Sequence, residues 1–209
     1  MSLIGWKQHR QKGRGIDNLH PNKPHTNPIS DLEYLTTLQV DKNALASLPD
    51  GVGDLSNLQL LIASNNDLVS IPESINNLTG VWYLDLGYNS LQTLPDISNM
   101  SSLMYLYIFG NEISSLPESI CNLNVNWDGL NNAFIPYFGA GGNQLCNEVP
   151  DCIENSSNFN TSLEQYYYSF AIEVPQDCGS PGDVNGDGSI DVLDIVFTVG
   201  IILNTVEYD

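Results

Sequence analysis

Positive charge is almost missing from this sequence: Lys7, Arg10, Lys12, Arg14 and Lys23 leave Lys42 as the only basic residue after position 26. Against Asp17, the first five give residues 1–26 about +4, and the rest carries about −23, within a formal total of −19. A body this acidic repels phosphate backbones and anionic headgroups, which argues against nucleic acid or anionic membrane surfaces as partners of the folded part. No run approaches the roughly eighteen apolar residues that cross a bilayer, so no membrane span is expected. No histidine follows His25, and no two cysteines stand in a CxxC spacing, so a zinc site lacks its ligands. The N-terminal MSLIGWKQHRQKGRG also lacks the apolar stretch of a secretion signal.

What cysteine there is points the other way. Cys121, Cys146, Cys152 and Cys178 all lie in the C-terminal half and read as two disulfides, which implies an oxidising, secreted or cell-surface location. A natural N-terminus further upstream would reconcile this with the absent signal. Three pairings are open, of which Cys146 with Cys152 and Cys121 with Cys178 is preferred.

The strongest signal is internal repetition. The pattern LxxLxLxxNxLxxLPxxIxxLxx fits windows starting at Leu35, Leu58, Val81 and Leu103, with periods of 23, 23 and 22 residues. A looser fifth copy follows an insertion at 124–134, with Ile135, Phe138, Ala140, Asn143, Leu145, Val149, Pro150 and Ile153 in order. Each LxL stretch makes one short strand that cannot bury its apolar side alone, so the copies must stack and share a core. The column Asn43, Asn66, Asn89, Asn111 and Asn143 then reads as a buried amide ladder satisfying backbone groups left open by the turns.

These residues resemble those of the leucine-rich-repeat family, of the short kind with Leu-Pro after the Asn-x-Leu step, over roughly residues 29–153. The expected fold is α/β: a leucine-rich-repeat solenoid with a concave parallel β-sheet, plus a small C-terminal calcium loop-helix module. Residues 1–28 are expected to form a basic tail, disordered or non-native, followed by the solenoid at 29–153 and a cysteine-bearing cap at 154–178. Tyr166, Tyr167, Tyr168 and Phe170 in that cap are expected to cover the last open repeat. Residues 179–182 read as a linker, and 183–209 as the calcium module.

In such a sheet the side chains between the core positions point into solvent from the concave face. The alignment places Leu60, Tyr83, Tyr105 and Tyr137 in one outward column, Ile62, Asp85 and Tyr107 in the next, and Gly87, Phe109 and Gly141 in a third. Leu60, Ile62, Tyr83, Tyr105, Tyr107 and Phe109 are therefore expected to form a contiguous aromatic patch with Asp85 and Tyr137 beside it. Such a patch suits a protein or glycan partner. The alternative is a structural spacer or adhesin with no specific ligand of its own. A third reading, an inverting glycosidase using Asp41 and Asp85 at roughly 9–10 Å, is outweighed by two solvated carboxylates on an acidic protein, so no enzyme is expected.

Beyond Cys178, DVNGDGSIDVLD at 183–194 matches the EF-hand calcium pattern with aspartate in the last place. Asp183, Asn185 and Asp187 supply alternating oxygens and Gly188 permits the turn. Ser189 offers its carbonyl, Asp191 acts through water, and Asp194 closes the shell. The aspartate ending and the helix expected from Ile195 to Leu203 resemble one repeat of a type I dockerin over about residues 181–204. That resemblance implies calcium-dependent anchoring or assembly on a cohesin-like docking partner. Dockerins carry two such repeats, and the docking positions here are Val192, Leu193, Gly200 and Ile201. The helix is apolar on nearly all sides, which leads us to expect a natural protein that continues into a second repeat.

Overall fold

The structure is a computed structural model and describes residues 2–4, 29–146, 149–166, 168, 170–179 and 192–202. The chain forms two compact units, Met1–Gln176 and Asp177–Asp209. In the first, six parallel strands stack in chain order: β1 (Ser2–Ile4), β2 (Thr37–Gln39), β3 (Leu60–Ile62), β4 (Tyr83–Asp85), β5 (Tyr105–Tyr107) and β6 (Phe138–Gly139). The register is that of the repeat, with Leu38, Leu61, Leu84 and Leu106 side by side and Leu106 opposite Phe138.

One difference from expectation lies at the start. Ser2–Ile4 pairs with Thr37–Gln39 as an edge strand, although residues 1–28 read as a tail outside the solenoid. Ser-Leu-Ile is a three-residue match with no Asn-x-Leu step behind it, too short for the repeat pattern to register.

The fourth and sixth positions of each LxxLxL step lie in one core, in which Leu61, Ala63, Leu84, Leu86, Leu106, Ile108, Phe138 and Ala140 are fully buried. The Leu-Pro step starts the convex side. Pro49, Pro72 and Pro117 each precede a five-residue 3-10 turn, at Asp50–Asp54, Glu73–Asn77 and Glu118–Asn122, and Pro150 precedes α1 (Asp151–Glu154). Proline holds φ near the value the first turn needs, and its carbonyl accepts the third N–H along, as from Ile75 to Pro72 (3.0 Å).

The asparagine column forms the expected ladder. In Asn111, Oδ1 accepts from the Leu91 amide (3.0 Å) while Nδ2 donates to Leu86 in the preceding repeat (3.1 Å) and to Ile108 (2.9 Å). Asn66, Asn89 and Asn143 repeat the arrangement. A sixth rung, not expected from the sequence, comes from the cap: Gln176 Oε1 accepts from Leu145 (3.3 Å) and its Nε2 donates to Ala140 (3.1 Å).

The disulfides correct the preferred pairing, since Cys121 is bonded to Cys152. Cys146 and Cys178 are disulfide-bonded as well, and no described cysteine is free. Cys121 lies in the last 3-10 turn and Cys152 in α1, which occupy the same convex position of consecutive repeats. Neighbourhood in the stack outweighs nearness in sequence.

The cap also departs from expectation. Residues 160–174 turn back over the concave side as an antiparallel hairpin, β7 (Thr161–Leu163) and β8 (Ala171–Glu173). Gly141 donates to the Thr161 carbonyl (3.0 Å), and Gly142 to that of Val174 (2.9 Å). In the second unit, α2 (Val192–Ile202) carries Asp194 buried, with Val192, Leu193, Ile195 and Val196 exposed. No described helix is long and apolar enough to cross a membrane.

Candidate binding face

The hairpin decides what the concave face offers. Tyr107 and Phe109 are completely buried and join Leu163 in a second apolar cluster, with Tyr88, Tyr105 and Tyr168 packed around it. These two residues were expected in an exposed patch. They are instead the floor under the returning chain, with Tyr168 5.9 Å from Phe109 and 6.3 Å from Tyr88 between ring centres. Tyr168 thus packs on the concave side rather than covering the last repeat, Tyr166 and Phe170 are exposed, and Tyr167 lies outside the described residues.

The return depends on two sets of residues in the repeats. Glycine at Gly87, Gly139 and Gly141 leaves room: a Cβ at Gly87 would meet the Phe109 ring, and one at Gly141 the carbonyls of Asn160 and Val174. The rim column at 42, 65, 88, 110 and 142 turns the chain out of each strand with positive φ, and three of the five residues are not glycine. Lys42 (φ 54°), Asn65 (φ 53°) and Tyr88 (φ 53°) accept a conformation that disfavours side chains. All three side chains hold the hairpin. Lys42 Nζ donates to the Tyr166 carbonyl (2.9 Å), Asn65 Oδ1 accepts from Gln165 (3.3 Å), and the Tyr88 hydroxyl donates to the Leu163 carbonyl (2.7 Å).

What stays open is a strip across β3 to β6, along their first outward positions and with Ile62 at the end of β3 beside them. Leu60, Ile62, Tyr83, Tyr105 and Tyr137 are half-buried there. Their rings run in contact, Tyr83 to Tyr105 at 5.4 Å and Tyr105 to Tyr137 at 4.7 Å. Trp82 extends the strip, 5.8 Å from Tyr83 and 6.0 Å from Tyr105. It falls in the step before the outward columns, so reading those columns alone misses it. An aromatic directly preceding an aromatic strand position was the available signal.

Asp85 stands where the open strip meets the hairpin, and it is 2% exposed. Its Oδ2 accepts from the Ser64 hydroxyl (2.8 Å) and its Oδ1 from the Gly87 amide (3.0 Å). Burial pushes its carboxyl up to about 7; those two hydrogen bonds pull the other way, and Asp41 adds to the rise. Burial likewise raises the phenols of Tyr83, Tyr107 and Tyr168, so they stay neutral. A pocket of about 200 Å³ opens here, lined by Gln39, Asp41, Lys42, Ile62, Ser64, Tyr83, Asp85, Tyr166 and Tyr168.

Of the expected calcium ligands, Asp183, Asn185, Asp187, Ser189 and Asp191 lie outside the described residues. Asp194 lies in the first turn of α2, where its carbonyl accepts from the Thr198 hydroxyl (2.8 Å). Among the described residues no group of three or more His, Cys, Asp or Glu is placed to hold a metal ion.

No curated protein matches the sequence. Among solved structures, an internalin of Listeria monocytogenes is 20% identical, with 63% of this chain and 34% of that one covered at a TM-score of 0.45. A leucine-rich-repeat protein of Leptospira interrogans is 26% identical, with 54% and 40% covered and a TM-score of 0.37. The functional domain of InlJ from Listeria monocytogenes, which includes a cysteine ladder, is 23% identical, with 55% and 27% covered and a TM-score of 0.42. The chain thus spans well under two thirds of each of these proteins. Family models described as leucine rich repeat match residues 33–91 and 102–123, and leucine-rich repeats are what this part of the chain carries.

Proposed function

We propose that the chain is a secreted or cell-surface recognition protein whose solenoid binds a protein partner along the open strip of Leu60, Ile62, Trp82, Tyr83, Tyr105 and Tyr137. The observation that carries this is the contrast within one face. The chain's own hairpin fills the far side of the sheet, while four aromatic rings in mutual contact on the near side keep access to solvent. Aromatic side chains supply large contact area at little entropic cost and are enriched at binding surfaces. Disulfide-bonded cysteines support the extracellular location. A glycosidase reading needs room for a sugar and a water between two carboxyl groups, whereas Asp41 and Asp85 share one pocket of about 200 Å³, below the roughly 300–1,000 Å³ usual for a whole ligand, which favours binding over hydrolysis.

The test is capture of extracellular proteins by the immobilised chain, compared with a Tyr83→Ser, Tyr105→Ser double variant of unchanged circular dichroism. Loss of a specific captured protein in the variant is the expected result. Equal capture by both would favour a spacer.

In the same reading, residues 183–194 bind calcium through Asp183, Asn185, Asp187, the Ser189 carbonyl, Asp191 and Asp194, and serve anchoring or assembly. The donors are the hard oxygens that calcium selects. Asp194, withdrawn from solvent while its apolar neighbours are not, fits a ligand position. When bound, the ion offsets the repulsion among the clustered carboxylates. Calorimetric titration of the whole chain with calcium chloride should show saturable uptake that Asp187→Ala abolishes; no uptake by the parent chain would remove this part.

A further inference from the structure

The pocket beside Asp85 is chemically unlike the strip it adjoins. The strip is aromatic and nearly uncharged, whereas the pocket gathers two carboxylates, Asp41 and Asp85, with three tyrosines, Ile62, Ser64 and the amide of Gln39. The influences on Asp85 are burial, the Gly87 amide, the Ser64 hydroxyl and the neighbouring Asp41; no cation is among them. Asp41 in turn accepts from the Gln39 amide (2.9 Å), a neutral donor. Among the described residues, Lys42 is the one cation that lines this pocket, and its Nζ is turned to the Tyr166 carbonyl and bonds neither carboxylate.

The size of the pocket limits what can supply one. About 200 Å³ is below the roughly 300–1,000 Å³ usual for a whole small-molecule ligand, but it suits the end of a single side chain. A neutral hydroxyl would add hydrogen bonds to groups already bonded and leave the repulsion in place. An ammonium or guanidinium offsets both carboxylates at once and gains from the tyrosine walls, since aromatic rings attract cations. The acidic body of the protein favours the approach of such a group as well.

We propose that this pocket receives the cationic end of a lysine or arginine side chain presented by the protein that binds the open strip. The inference rests on the concave-face reading, for which it names a chemical requirement: the partner carries a basic residue beside the surface that meets Tyr83 and Tyr105. Asp85 is the anchor at the bottom and Asp41 the second carboxylate. Gln39 and Ser64 keep the two carboxyl groups in place.

The probes are the N-acetyl methylamides of lysine, of arginine and of norleucine, the last a neutral control of similar shape. They are titrated into the full chain at pH 8 and followed by the amide signals of Ser64 and Asp85 in NMR. The lysine or arginine probe is expected to bind saturably, with Kd on the order of 1 mM for one side chain, and norleucine not at all. Asp85→Asn should weaken binding by about tenfold or more, as loss of a charged hydrogen-bond partner does. Asp41→Asn, at a half-exposed position, should weaken it less and checks the result independently of any rearrangement around Asp85. Equal binding of norleucine, undiminished binding by Asp85→Asn, or no binding of either cationic probe at tens of millimolar would each overturn the proposal. If the probes fail while capture still depends on Tyr83 and Tyr105, the pocket assignment falls and the concave-face reading stands. Loss of both removes the two together.

Discussion

Asp85→Asn should make the protein more stable, and by an amount that depends on pH. The carboxyl ionises near 3.8 when exposed and near 7 in the fold. The folded state therefore holds this proton more tightly than the unfolded one, so the advantage is complete below about pH 4 and is lost as pH rises through about 7. At about 1.4 kcal/mol per pH unit, the full difference is on the order of 4 kcal/mol. Asparagine keeps the geometry: its Oδ1 accepts from the Gly87 amide as before, and its Nδ2 donates to the Ser64 hydroxyl, which reverses its role. Because many other carboxylates titrate in the same range, the informative quantity is the gap between variant and parent, measured by urea unfolding at several pH values. That gap should widen in favour of the variant by roughly 3–4 kcal/mol between pH 4 and pH 8, then level off. A gap that does not change with pH, or one that widens in favour of the parent, would refute the account of Asp85 as a carboxyl ionised against its surroundings.

Asn111→Ala removes a rung that serves four backbone groups, three carbonyls and the Leu91 amide. Since several are buried, the loss should be on the order of 2–4 kcal/mol in chemical unfolding, and a loss under about 0.5 kcal/mol would contradict the ladder. Replacing Cys121 and Cys152 together by serine opens a loop of 31 residues, and chain entropy sets that loss at roughly 3–4 kcal/mol. Selective loss of the Cys121–Cys152 crosslink in peptide mapping, with the repeat's circular dichroism kept, is the check.

The stack of repeats is legible in the sequence because each template position has one structural duty, and a strand one residue out of place would turn its leucines outward. Leu61, Leu84 and Leu106 had nowhere else to go. Which outward positions remain open is another matter. The hairpin reaches Lys42 from Tyr166 and Asn65 from Gln165, across 124 and 100 residues, and nothing periodic links those positions. Its traces in the sequence are indirect: glycine at three outward places where a ligand-contacting residue would be expected, and bulky residues at left-handed rim positions that the later repeats give to glycine. Tyr107 and Phe109 look identical in sequence to Tyr83 and Tyr105, and only the return of residues 160–174 separates floor from surface. The pairing of Cys121 with Cys152 was within reach, since the repeat alignment places both on adjacent convex turns.

Gln176 has a consequence for how this molecule can change length. From Asn66 onward each asparagine amide bonds backward, to the repeat before its own, and each repeat finds its partner in the amide that follows. A gene duplication copying one period inserts a rung that meets the same carbonyl and amide on either side, so the array can gain or lose copies without orphaning a buried group. The glutamine is the exception. It closes the series from a segment that is not a repeat, bonding to Ala140 and Leu145 in the place of a next asparagine. The ladder by itself therefore admits duplications upstream of it, but a copy inserted between Tyr88 and the hairpin would displace the contacts of Lys42, Asn65 and Tyr88, while the segment that carries the glutamine travels with whichever copy comes last.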